Sequence, residues 1–288
     1  MMKNIINVTS GKGSSTALLI LGEDKTALID CGMAYCSSNL IRNIQKVLND
    51  GRKLDYILLS HSHYDHISAV PYLRKVWPDV KVMAAEYAQN ILTKESALKT
   101  IKELNNQSAL YYGFNQLIEY DDSLMKVDYK VSDGDSLDLS GANIKILETP
   151  GHTKCSLSFL VNNEVIFASE TTGCMSKSGK LYPAFIISYE QTIKSIDKCK
   201  KTNPRYIISP HFGLVSKRET SEYWEKCIQA ANEARDFVLK LSTAGFDKDK
   251  IFKEFKDTFR DEEYRAVQPD YAFEINSRAM IISIINGK

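Results

Sequence analysis

At 288 residues, 43% hydrophobic and 25% charged, the chain can bury a substantial core and exceeds the usual single-domain range only slightly, so one main domain with elaborations is expected. Its 37 basic and 36 acidic residues leave a net charge of +1, and the basic residues form no long run or stripe, which argues against a nucleic-acid partner. Six dispersed cysteines without a Cys-x-x-Cys pair exclude a dense disulfide framework and fit reduced thiols in the cytoplasm. The first residues turn polar at Thr9 to Gly13 before completing an apolar stretch of signal length, so neither export nor a membrane partner is expected.

In chain order, residues 16 to 30 alternate as a hairpin around Gly22 to Lys25, and a helical stretch runs from Asn39 to Leu48. A strand at Tyr56 to Leu59 leads into a polar burst, followed by a helix over Val70 to Trp77 and a strand over Val80 to Ala84. Helical spacing from Thr93 to Leu104 gives way to an aromatic segment containing Tyr111, Tyr112, Phe114 and Tyr120. Its safe use is packing; a substrate-pocket wall or a homodimer contact is the alternative. Strands are expected at Asn143 to Leu147, Ser156 to Val161, Glu164 to Ala168 and Tyr206 to Ser209, with a helix at Tyr189 to Lys200. From Glu219 the apolar residues Trp224, Cys227, Ile228, Ala231, Phe237, Val238 and Leu241 recur at three- and four-residue steps. That is an amphipathic helix ending near Gly245, with further helices at Asp247 to Phe259 and after Pro269, through Phe273 to Ile285.

The most informative feature is where the five histidines fall. His61, His63 and His66 share the run Ser60-His61-Ser62-His63-Tyr64-Asp65-His66 at a strand end, while His152 and His211 stand alone. Imidazole nitrogens with a carboxylate and no nearby thiolate suit Zn²⁺, Fe or Mn²⁺. Side chains that are close in sequence on an extended turn diverge, so two ions sharing the cluster is the easier geometry.

His61 to Asp65-His66 match in full the His-x-His-x-Asp-His signature of the metallo-β-lactamase fold superfamily, which the chain resembles from near its amino terminus to His211. Asp30 before Cys31-Gly32, His152 in Thr149-Pro150-Gly151-His152, and His211 in Ser209-Pro210-His211 follow in family order. The resemblance implies an αββα sandwich over residues 1 to 218, with a helical extension over 219 to 288 that covers the cleft. It also implies two divalent ions: His61, His63 and His152 on the first, Asp65, His66 and His211 on the second, with Asp30 supporting them through hydrogen bonds. Where the family usually writes Gly-Asp, this chain has Ser169-Glu170, so Glu170 is expected as a ligand, bridging or on one ion, and the second ion is expected to be loosely held. The segment from Tyr64 through Pro71-Tyr72-Leu73 and the helical tail further resemble the quinolone-signal-response thioesterase subgroup.

The chemistry expected of such a site is hydrolysis of an ester, thioester or lactone bond in a small, partly apolar molecule by metal-activated hydroxide. Asp65 or Glu170 would orient the nucleophile and move its proton, and Tyr64 is a candidate donor to the developing oxyanion. Two other readings stand beside it. One is iron-dependent sulfur dioxygenase-like chemistry; flavin-linked di-iron relatives usually carry glutamate where this chain has His63. The other is a metal-containing regulatory protein with little turnover.

Overall fold

The computed structural model describes residues 4–49 and 51–287. Close contacts divide the chain into two units, Met1–Ile146 and Leu147–Lys288.

The first unit carries β1 (Ile5–Asn7), β2 (Leu18–Leu21), β3 (Thr26–Ile29), α1 (Ser37–Leu48), β4 (Tyr56–Leu58), α2 (Tyr64–Ile67), α3 (Val70–Val76), β5 (Lys81–Ala84), α4 (Glu86–Leu92), α5 (Glu95–Tyr111) and β6 (Tyr129–Lys130). The six strands form one sheet in sequence order. β2 and β3 form the antiparallel hairpin that the alternation around Gly22 to Lys25 implied, and β3, β4 and β5 then run parallel. Parallel strands need apolar residues on both faces, and Leu28, Ile29, Ile57 and Leu58 are all fully buried. α1 buries Leu40, Ile44 and Leu48, spaced four apart along one face. A hairpin of β7 (Ser136–Asp138) and β8 (Asn143–Glu148) follows, pairing Leu137 with Ile144.

The second unit carries β9 (Leu157–Val161), β10 (Val165–Phe167), β11 (Cys174–Met175), β12 (Leu181–Tyr182), α6 (Tyr189–Lys201), β13 (Tyr206–Ser209), β14 (Gly213–Leu214), α7 (Lys217–Thr220), α8 (Tyr223–Thr243), α9 (Lys248–Phe259), α10 (Glu262–Val267) and α11 (Asp270–Ile285). Its strands are ordered β14-β13-β10-β9, with β10 parallel to β13. Ile166, Ile196, Cys199, Ile207, Trp224 and Cys227 make a core shared by strands, α6 and α8. A second core joins Val238, Ile251, Phe255, Phe273 and Ile281 of the tail helices to Tyr182 and Phe185. The tail is thus built into the unit that precedes it.

Most of the expected strands and long helices lie within a few residues of where periodicity put them; α5 runs past Leu104 to Tyr111, at the start of the aromatic segment, and α4 was not expected. Two local differences matter. The metal motif does not stay extended: Tyr64–Ile67 is one helical turn. The tail contains an additional short helix, α10, entered through Asp261, whose side chain accepts from the Tyr264 amide. No helix among the described residues is long and apolar enough to cross a membrane. All six cysteines are buried thiols, and burial pushes the Cys199 thiol up to about 12.

Candidate metal centre

The four candidate ligands of the first unit leave the end of β4. Their support is Asp30, completely buried at the end of β3 and held in the left-handed region at φ 53°, which costs a non-glycine residue conformational energy. Its Oδ1 accepts from the Ser60 amide at 2.7 Å; its Oδ2 accepts from Ser60 Oγ at 2.7 Å and lies 2.7 Å from His66 Nδ1. Ser60 Oγ also lies 3.0 Å from His61 Nδ1. The two imidazoles are therefore gripped on Nδ1, which leaves their Nε2 atoms for a ligand. His61 sits 4.6 Å from His63 and 4.0 Å from His66 between ring centroids, and His66 Nε2 is 3.7 Å from Asp65 Oδ2. The helical turn brings Asp65 and His66 round toward the rings before them, which an extended run would have splayed apart. The Cys31 and Gly32 amides both bond the His66 carbonyl, at 2.8 and 3.1 Å, tying the turn back to the end of β3.

Tyr64 is buried, and Ser108 Oγ of α5 donates to its hydroxyl at 3.3 Å. Further along, Tyr112 and Phe114 pack on Tyr35 at 6.3 and 4.7 Å, while Tyr111 and Phe114 remain exposed.

The second unit brings His152, Glu170 and His211 together from three separate turns. Glu170 Oε2 is 2.6 Å from His152 Nε2 and its Oε1 is 2.6 Å from His211 Nε2. One carboxylate thus faces both histidines, one oxygen to each. His152 Nδ1 contacts the Ala184 carbonyl, which again turns Nε2 toward the ligand side. Gly151 precedes it at φ +145°, and a Cβ there would stand 2.2 Å from Thr192 Oγ1; no other residue fits. Thr171, next to Glu170, accepts from the His152 amide at 3.0 Å and donates to the Thr149 carbonyl at 2.6 Å. Behind it the Thr149 hydroxyl meets Ser158 Oγ at 3.0 Å and Ser169 Oγ at 2.9 Å. These buried hydroxyls lock the His152 loop to the Glu170 turn. His211 is the left-handed tip, at φ 61°, of the turn between β13 and β14. Its neighbour Phe212 stacks on Tyr182 at 6.2 Å, and Tyr182 on Tyr264 of α10 at 4.4 Å.

The donor set passes the test for a borderline divalent ion. It offers imidazole Nε2 atoms and carboxylate oxygens, with Nδ1 of His61, His66 and His152 taken by fixed partners, the arrangement that orients metal-binding histidines. Sequence reasoning named Asp30, the five histidines, Asp65 and Glu170 as candidates. It missed Ser60, Thr149, Ser158, Ser169 and Thr171. Ser60 and Thr171 each adjoin a ligand, a signal available in the sequence; Ser158 carried none.

Among known proteins, the family model described as metallo-beta-lactamase superfamily matches residues 10–211. A metallo-beta-lactamase fold-containing protein of Sulfurisphaera tokodaii is 28% identical over 221 residues, which are 74% of this chain and 78% of its own. The crystal structure of an archaeal metallo-beta-lactamase superfamily protein from Sulfolobus tokodaii is similar at TM-score 0.63 and 27% identity, over 78% of this chain and 85% of that one. A hydroxyacylglutathione hydrolase of Prochlorococcus marinus is 29% identical over 149 residues, 50% of this chain but only 45% of its own length.

Proposed function

Since this chain belongs to the metallo-beta-lactamase superfamily, with its mixed α/β fold and hydrolase-type activity, we propose that it cleaves the thioester, or a related ester or lactone, of a small and partly apolar acyl group. The similarity to a hydroxyacylglutathione hydrolase favours the thioester. In this reading, which follows from the family resemblance, His61, His63 and His152 hold one divalent ion and Asp65, His66 and His211 a second, with Glu170 bridging them or on one ion, and zinc, iron or manganese is compatible with the donors. When bound, the two ions supply a water nucleophile active near neutral pH and electrophilic assistance to the carbonyl.

The observation that carries the proposal is the Glu170 carboxylate, with one oxygen on His152 and the other on His211. A side chain so placed serves both halves of a dinuclear site and offsets part of their charge. Asp65 Oδ2 takes the proton of the attacking water and returns it to the leaving group, whose thiol character makes little protonation necessary. We assign Tyr64 a positioning role: its hydroxyl is engaged with Ser108, which fixes α5 against the ligand turn. Residues 219–288 act as the helical extension that narrows access, a role supported by tail side chains that share a cavity wall with His152 and Glu170.

The test measures metal per chain and hydrolysis of a panel of acyl thioesters, esters and lactones for the wild type and Glu170→Ala. Wild-type protein should carry up to two ions and cleave a thioester, and Glu170→Ala should lose at least one ion with turnover falling alongside. Glu170→Asp should largely keep its metal. Equal stoichiometry and affinity in wild type and Glu170→Ala would make Glu170 a bystander and sink the dinuclear assignment.

A further inference from the structure

Helix α5 turns polar side chains inward and large apolar ones outward at its C-terminal end. Asn105 and Ser108 are fully buried, Ser108 meeting Tyr64 of the ligand turn, whereas Leu110 and Tyr111 of the last turn are 58% and 51% exposed. The segment that follows adds Phe114 at 43% and Leu117 at 70% exposed. Half of four such side chains amounts to about 400 Å² of apolar surface, the size at which a patch marks an interaction site rather than scattered exposure. No charged residue lies between Glu103 and Glu119, and the exposed amides of Asn115 and Gln116 adjoin the patch.

This surface is held in place by the fold. Phe114 packs on Tyr35 at 4.7 Å and its amide donates to the Ala109 carbonyl at 2.8 Å. Tyr111 stands edge-on to Tyr112 at 5.0 Å, and the Ile118 amide donates to Asn106 Oδ1 at 2.6 Å. A preformed face loses little conformational freedom when it is covered.

The charges at its two ends are opposite. Beside Tyr35 lies the exposed Lys12, whose carbonyl accepts from the Tyr35 hydroxyl at 2.6 Å. At the other end the chain doubles back along α5, where Lys102 Nζ donates to the Tyr120 carbonyl at 3.3 Å and pairs with Asp122 at 2.8 Å. That leaves the exposed carboxylates of Glu119 and Asp121 on this edge. A two-fold axis through the uncharged middle brings the basic edge of one copy onto the acidic edge of the other, the self-complementarity that an isologous contact requires.

We propose that this face is the interface of a homodimer, with Leu110, Tyr111, Phe114 and Leu117 of two copies packed against each other at its centre. A standard interface buries about 800 Å² per partner, a little over half of it apolar, so about 400 Å² of apolar centre with its amide and charged rim is of the right size. Exposed aromatic rings without neighbouring charge are the composition of such a centre. The acidic edge disfavours an anionic lipid surface as the occupant, because like charges repel there. The inference is independent of the acyl-hydrolase reading.

The test is sedimentation velocity of the full metal-loaded chain across a range of concentrations. Wild type should sediment as a two-chain species at about 10 μM, within the range of affinities that interfaces of this size reach. Leu117→Lys places a charge at the centre and should weaken association about tenfold or more while leaving metal content unchanged. Lys12→Glu should weaken it less, and Lys12→Glu with Glu119→Lys should recover most of that loss, since the two-fold exchanges the edges. A wild type that stays a single chain at about 100 μM would overturn the proposal, as would a dimer untouched by Leu117→Lys. Failure of the exchanged pair to recover the loss in Lys12→Glu would overturn the two-fold packing. A single-chain wild type that pellets with phosphatidylcholine vesicles, and a Leu117→Lys variant that does not, would assign the face to a lipid surface instead.

Discussion

In the first unit four candidate ligands come from six consecutive residues, His61 to His66, and one buried aspartate steadies them. In the second unit three candidate ligands arrive from turns far apart in the chain, at His152, Glu170 and His211, and a set of buried hydroxyls does the steadying. The first arrangement is local: a single helical turn, with Asp30 acting directly and through Ser60, orients the His61 and His66 rings. The second is distributed: Thr171, Thr149, Ser169 and Ser158 each make a small contribution to one loop-to-turn junction. Concentrated support fails all at once when its keystone is removed, whereas distributed support should yield in steps.

The sharpest way to break that contrast is Asp30→Ala. It removes the acceptor shared by the Ser60 amide, the Ser60 hydroxyl and His66 Nδ1, so a loss of about 3 kcal/mol in denaturant unfolding is expected. Metal affinity should also fall about 10–100-fold. Unchanged metal binding in Asp30→Ala would mean that the ligand turn holds itself.

Next in size is Gly151→Ala. The strained φ and the 2.2 Å approach to Thr192 Oγ1 should cost about 2 kcal/mol or more and displace His152 while leaving the first unit intact, a pattern that hydrogen exchange resolved by unit would show.

Thr171→Val removes one hydroxyl that serves both the His152 amide and the Thr149 carbonyl. A smaller cost of about 1–2 kcal/mol is expected, with metal affinity down by roughly tenfold. If Thr171→Val were as damaging as Asp30→Ala, the support of the second unit would be as concentrated as that of the first.

The smallest effect lies at the rim of the second unit, where the Asp261 carboxylate accepts from Tyr182 at 2.6 Å and contacts Lys180 Nζ at 2.6 Å. Burial draws its pKa upward, but the bonds from Lys180 and Tyr182 outweigh that and hold it at about 2. A carboxyl depressed in the folded state stabilises above its unfolded value near 4, and that contribution disappears as pH falls from about 4 to about 2. Asp261 is 39% exposed, so solvent screening keeps the effect below about 1 kcal/mol. Melting curves of Asp261→Asn and wild type should differ slightly at neutral pH and converge toward pH 2; a gap that widens in acid would contradict this sign.

The local half of the centre was legible in the sequence because the chemistry of ligation demands particular residue types, and a strand end followed by one turn demands particular spacing. His152, His211 and Asp30 were legible for a related reason, each lying within two residues of a glycine or proline that marks a strand-to-turn junction. Apolar periodicity placed the long helices and central strands, since burying one face or both imposes its repeat on the chain. Only the tertiary structure decided the rest. Glu170 was expected as a ligand in place of the usual Gly-Asp, but that its two carboxylate oxygens face His152 and His211 separately was visible only in the structure. The serines and threonines behind the site are common residues, and which hydroxyl meets which depends on strands distant in sequence coming into register.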